Sequence, residues 1–286
     1  MDKTKVLIRG GGDLASAVAL RLANVGFTVV IAELEKPLCI RRTVSFSEAI
    51  IAGAVDLEGV KGIKVHTADI ENWLRKPSKG QVAVVSDPKL QSLAIIKPDV
   101  FIEGTLRKKI DGAIKDFAPI TIALGPGFEA PKDVDAVIET NRGHHLGRVY
   151  YEGMAMADTG IPGIIMGYGK ERVLYAKADG SIIKSKEIGA VVEKGETVAE
   201  VLTQRGERVP VQAKISGVLR GMIPRGEVQK GLKIGDVDPR KDITFIHSVS
   251  DKGRTISGGV LEAILHLKNK QGSGINPCKD RIERRR

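Results

Sequence analysis

Residues Arg9-Gly10-Gly11-Gly12-Asp13-Leu14-Ala15 contain the pattern Gly10-x-Gly12-x-x-Ala15, and an acid, Glu33, stands about 20 positions further on. In such a pattern Gly10 admits a tight turn, with Gly11 inside it. Gly12 lets a pyrophosphate approach the backbone, and Ala15 is small enough for a helix to pack close to a strand. Phosphates would rest on the helix N-terminus, held by free N–H groups and the helix dipole. Glu33 would accept hydrogen bonds from an adenosine ribose, so the expected cofactor is NAD or another dinucleotide. Asp13 is open to two readings, since a carboxylate there caps the backbone but also repels a phosphate. Arg41 and Arg42, in Cys39-Ile40-Arg41-Arg42-Thr43, would neutralise a phosphate or another small anionic ligand, or else form a solvated basic turn.

The elements that must position these groups are strand, helix, strand. Val6-Leu7-Ile8 is a short apolar run ending in the glycines, after which Leu14, Val18, Leu22 and Val25 recur at helical spacing. Gly26 closes the helix and Thr28-Val29-Val30-Ile31-Ala32 reads as a second, buried strand. Further strands are expected over residues 81–85, 100–102, 120–124 and 136–138. Their ends are Ser86-Asp87-Pro88, read as a helix cap with proline at the first helical position, Glu103-Gly104-Thr105, and Gly125-Pro126-Gly127-Phe128. In a parallel sheet these loops share the carboxyl edge with the Gly10 turn, where open α/β sheets bind ligands. Asp87, Glu103, Gly125 and Gly127 are therefore expected to line the site. The densest polar cluster is Glu139-Thr140-Asn141-Arg142-Gly143-His144-His145-Leu146-Gly147-Arg148. No metal spacing occurs in it, and one histidine would act as a general acid or base or sit as a polar turn residue.

With 286 residues, 42% hydrophobic and 28% charged, the chain is expected to fold as more than one globular unit. The net charge of +10 suggests nucleic acid, but residues 268–286 alone hold seven Lys/Arg against two Asp/Glu, and aromatics are only 4%. A flexible basic tail explains the charge better than a base-stacking surface does, so no nucleic-acid partner is expected. No run reaches the roughly 18–20 apolar residues of a membrane span, and the start has no apolar signal core. The expectation is a cytoplasmic protein without a membrane partner. Cys39 and Cys278, far apart in the chain, fit a reducing compartment and give no disulfide framework.

The second half repeats itself. Residues 192–201, VEKGETVAEV, match residues 228–237, VQKGLKIGDV, position by position, which implies internal pseudo-symmetry. With Ile215-Ser216-Gly217-Val218-Leu219 between the copies, the segment resembles the biotinyl and lipoyl carrier domains, small barrel-sandwich hybrids of two interlocked β-repeats. In those carriers the modified lysine lies on the hairpin joining the repeats. Here that stretch is Gln204-Arg205-Gly206-Glu207, without lysine, so the resemblance implies the fold without a covalent cofactor. Beyond it, Val260, Ile264 and Leu267 mark an amphipathic helix expected to pack back on the first unit. The expected architecture is α/β: a Rossmann-like, mostly parallel sheet domain (residues 1–168), a small all-β barrel-sandwich hybrid domain (169–241), a C-terminal segment with a helix (242–268) and a basic tail (269–286).

Taken together, residues 9–15, 40–49, 125–128, 143–148 and 233–240 resemble one family, the accessory proteins of selenium-dependent molybdenum hydroxylases. Of the histidine pair, His144 matches the family histidine, which makes it the candidate catalytic residue. The resemblance implies maturation of a client molybdenum hydroxylase, contact with the molybdenum cofactor through that client, and a link to selenium. The alternative is an NAD-dependent oxidoreductase acting on a small acidic metabolite, with His144, Asp87 or Lys108 as proton donor. Assembly into a homo-oligomer is compatible with either.

Overall fold

The computed structural model describes residues 4–107 and 114–272. Lys108, Cys278 and most of the basic tail lie outside the described residues.

Eleven strands belong to the first unit: β1 (Lys5–Arg9), β2 (Thr28–Glu33), β3 (Ala54–Leu57), β4 (Val60–Lys64), β5 (Gln81–Ser86), β6 (Val100–Glu103), β7 (Ile120–Leu124), β8 (Glu129–Ala130), β9 (Ala136–Ile138), β10 (Val149–Tyr150) and β11 (Gly153–Met154). Nine of them form one sheet in the order β10-β9-β7-β6-β1-β2-β5-β4-β3, with β8 and β11 paired separately. From β9 to β4 every pairing is parallel; only the edge strands β3 and β10 run antiparallel. A parallel sheet is covered on both faces, so its strands are continuous apolar runs rather than alternating ones. Val6, Ile8, Val29 and Ile31 point to one core with the first helix, α1 (Asp13–Asn24), while Leu7, Val30, Ala32 and Phe101 point to a second core on the opposite face.

The C-terminal helix, Asp251–Gly272, completes the first face, with Ile256, Val260, Ala263 and Ile264 buried beside α1. Close approach is set by glycine: an added Cβ on Gly253 would lie 2.9 Å from the Ala17 Cβ, and one on Gly259 would collide with the Gly147 carbonyl oxygen. The Arg21 guanidinium donates to Ser257 Oγ at 2.8 Å and fixes the register of the two helices. Among the described residues no helix is long and apolar enough to cross a membrane.

Eight further strands follow: β12 (Val173–Tyr175), β13 (Gly180–Ser185), β14 (Val191–Val192), β15 (Thr197–Leu202), β16 (Arg208–Gln212), β17 (Gly217–Met222), β18 (Glu227–Val228) and β19 (Lys233–Asp238). They form two four-stranded antiparallel sheets, β12-β19-β17-β14 and β16-β15-β13-β18, around a shared apolar core. Each repeat copy begins with a short strand in one sheet and ends with a long strand in the other, so β14 and β19 share a sheet, as do β18 and β15. Gly195 and Gly231, at φ +88 and +85, make the equivalent turns that only glycine adopts easily.

The two units meet at residues 40–42. The Met222 N–H donates to the Ile40 carbonyl at 2.9 Å, and the Arg42 Nε donates to the Met222 carbonyl at 2.9 Å.

Two expectations differ from the structure. No helix starts at Pro88; the next helix covers only Leu93–Ile96, because Asp87 closes a turn instead, its carboxylate accepting the Gln91 and Ser92 N–H groups at 2.8 and 2.7 Å. The sheet also gains the β3–β4 hairpin, whose residues 54–64 carry no strand pattern in the sequence.

Candidate functional site

Strand β1 feeds the glycine turn directly. Gly10 takes φ +87 and its N–H donates to the Ala32 carbonyl at 2.8 Å, tying the turn to the end of β2. The Gly11 N–H donates to Glu33 Oε2 at 2.6 Å, while Oε1 accepts the Leu34 N–H at 2.7 Å. The Gly11 carbonyl accepts from Ser16 Oγ and from the Ser47 N–H, so the turn is held from four sides. Gly12 is the N-cap of α1, with φ −66 and ψ 175, and no side chain caps the first turn of the helix. A Cβ built on Gly12 would meet nothing within 4 Å. The start of α1 therefore faces open space, with the positive end of its dipole outward. Ala15 is fully buried, and Gly104 approaches it so closely that an added Cβ would lie 2.9 Å from the Ala15 Cβ.

That open space is a cavity of about 370 Å³ at the carboxyl edge of the sheet. Gly10, Gly12, Asp13, Ala15, Glu33 and Asp87 all reach its wall. So do Arg9 and Arg107, two cations beyond those expected from the sequence. Both converge on Glu103: Arg107 at 2.9 Å and Arg9 at 3.4 Å from Oε2, with Thr105 Oγ1 donating to Oε1 at 2.6 Å. Glu103 is 1% exposed and does not line the cavity; its role is to hold two cations at the cavity wall. The sequence signal for them was weak but real: Arg9 ends β1, and Arg107 stands four residues after the last residue of β6.

The remaining charged candidates are committed elsewhere. Arg41 is buried, donates to the Phe245 carbonyl at 2.9 Å and lies 3.8 Å from Asp13. Burial, followed by the Arg220 charge, lowers its pKa, with Asp13 and Asp236 opposing. Arg42 turns away to Met222 and to Glu48, at 3.8 Å. Cys39 does line the cavity; burial and then the Asp13 charge push its thiol up to about 11, against a 2.8 Å hydrogen bond with Ser45.

Gly125 and Gly127, at φ +76 and +109, line neither this cavity nor a larger one of about 800 Å³ beside it. The larger cavity takes Pro126, Thr140, Asn141 and Lys252 in its wall and shares Leu106 with the first. His144 and His145 are exposed, stack edge to face with centroids 5.2 Å apart, and line neither cavity. Among the described residues no three His, Cys, Asp or Glu side chains are grouped to hold a metal ion.

No protein-family model matches the chain. It is 43% identical over 279 residues to an uncharacterized protein, YqeB, of Escherichia coli (strain K12), a match covering 97% of this chain and 50% of that protein. The chain thus spans about half the length of the curated relative it matches. Solved structures with some likeness are the ectoine utilization protein EutE (DoeB) of Ruegeria pomeroyi (11% identity, 83% of this chain and 86% of that one, TM-score 0.28) and a succinylglutamate desuccinylase/aspartoacylase from Rhodobacter sphaeroides (9%, 82% and 84%, TM-score 0.30). An aspartoacylase family protein from Mesorhizobium loti is similar at 9% identity, over 84% of this chain and 86% of that one, with a TM-score of 0.26. At such TM-scores the likenesses assign no activity to this chain. The family expected from the sequence motifs is corrected here: no family model matches, and the relative of 43% identity is named only as uncharacterized, so the maturation role and its redox alternative are both withdrawn.

Proposed function

We propose that the crevice between the Gly10 turn and the Gly104 loop binds the diphosphate of a nucleotide. One observation carries this reading: the uncapped start of α1 opens at Gly12 onto free space, where any side chain would intrude on a phosphate. Backbone N–H groups and the helix dipole supply the attraction, and Arg9 and Arg107 add positive charge on the wall. Glu33 keeps lone pairs for a ribose hydroxyl after serving Gly11 and Leu34. A thermal-shift series with NAD, NADP, FAD, ADP and inorganic phosphate tests the reading. At least one nucleotide should raise the melting temperature in a concentration-dependent way, and a flat response to all four nucleotides at millimolar concentration rejects it.

The two-sheet unit fits a barrel-sandwich hybrid of the carrier type that has lost its acylation site. Its β15–β16 turn is closed by Thr203 and Glu207 and carries no lysine. In this reading it is a rigid β-module that docks on the segment Ile40–Arg42. Intact-mass measurement of protein made with active biotin and lipoate ligases should show no adduct.

A further inference from the structure

The larger cavity has a chemistry of its own. Its wall holds two cations, Arg142 and Lys252. Arg142 is spoken for, because its two terminal nitrogens bind both Asp251 carboxylate oxygens at 2.8 and 3.0 Å. Lys252, the next residue, lies in the first turn of the C-terminal helix and is half-buried. Among the described residues its ammonium donates no hydrogen bond and forms no ion pair. Burial lowers its pKa; Asp13 and Glu139 act in the opposite sense, and Arg142 and Lys233 reinforce the lowering. Glu139 does not pair with it: the carboxylate is itself fully buried and accepts the Asn141 and Met156 N–H groups at 2.7 and 2.9 Å. The acid in the cavity wall, Asp158, caps its own loop at Gly160 at 3.1 Å.

The rest of the wall is largely apolar and poorly covered. Met156, Ile161 and Ile164 are 50%, 63% and 72% exposed, which is unusual for three large apolar side chains sharing one concavity. Thr140 and Asn141 stand among them as neutral hydrogen-bonding groups. One cation with no ion-pair partner among the described residues, beside an uncovered apolar wall, matches a ligand with one negative charge and a hydrocarbon body. A phosphate dianion would find here one unpaired ammonium, with Arg142 already held by Asp251, and no helix N-terminus like the one that opens onto the first cavity at Gly12.

We propose that this cavity binds a monoanionic organic acid, its carboxylate on the Lys252 ammonium and its apolar body against Met156, Ile161 and Ile164. The site is separate from the nucleotide crevice but adjoins it at Leu106, so both ligands can be held side by side.

Calorimetric titration of the full chain with octanoate tests this. Saturable binding is expected, weakened at least about tenfold by Lys252→Met and by Ile164→Asn, and kept within about threefold by Lys252→Arg. Circular dichroism melts of each variant confirm that the fold is retained. Gly12→Val, which projects into the other cavity, should leave octanoate affinity unchanged, so the two sites stand or fall independently. Absence of saturable binding, equal affinity in Lys252→Met and wild type, or loss of binding in Gly12→Val overturns the assignment.

Discussion

The Glu33 carboxylate accepts the Gly11 N–H at 2.6 Å, so the acid at the end of β2 holds the glycine turn at the end of β1 in shape. A ribose-binding acid and a turn-holding acid are the same group here. Glu33→Ala should therefore cost about 2 kcal/mol of stability, the usual worth of a hydrogen bond to a charged group, as well as weakening nucleotide binding. Urea unfolding at neutral pH measures the first effect, and an unchanged midpoint would show that the turn holds without Glu33.

Glu103 sits between Arg9 and Arg107 with almost no solvent contact. Removing its charge leaves two cations facing each other, so Glu103→Gln should destabilise the protein by about 3 kcal/mol. The same unfolding measurement checks it.

Two glycines should behave oppositely. Gly259→Ala drives a Cβ into the Gly147 carbonyl and should cost about 2 kcal/mol by pushing the C-terminal helix away from the Gly147 loop. Gly12→Ala meets no atom and should cost less than about 1 kcal/mol, the loss expected for alanine at a helix N-cap.

Much of the first unit was legible because buried parallel strands announce themselves as unbroken apolar runs: residues 120–124 and 136–138 are strands in the structure with those same limits. The β3–β4 hairpin was not legible. Ala54–Leu57 is mostly exposed, and its one signal was the Glu58-Gly59 turn, with φ of +49 and +85. Asp87 misled because a cap and a tight turn use the same Asp-Pro pair. The fates of Arg41 and Arg42 depend on contacts with residues about 200 positions away, Phe245 and Met222, which no local pattern encodes. Lys252 carries no local signal for a similar reason: only the packing of the C-terminal helix places it beside Thr140 and Asn141.

Cys39 offers a pH test. Its folded thiol keeps its proton up to about pH 11, whereas an unfolded thiol loses it near about pH 8.5. The folded state thus binds more protons in between. Its contribution to stability is complete below about pH 8.5 and is lost as pH rises toward about 11. In a Cys278→Ser background, adding Cys39→Ser should reduce the alkaline fall in the urea midpoint, and Cys39 should alkylate slowly at pH 8. Rapid alkylation of folded protein at pH 8 would contradict the burial of this thiol.

Gly12 leaves room at the start of α1 for the phosphate that the proposed nucleotide would place there. Calorimetric titration of wild-type and Gly12→Val protein with NAD and ADP tests it most directly. At least one of them should bind the wild type saturably and lose that binding in Gly12→Val, with the melting temperature nearly unchanged. No binding to the wild type, or equal affinity in the variant, would contradict it.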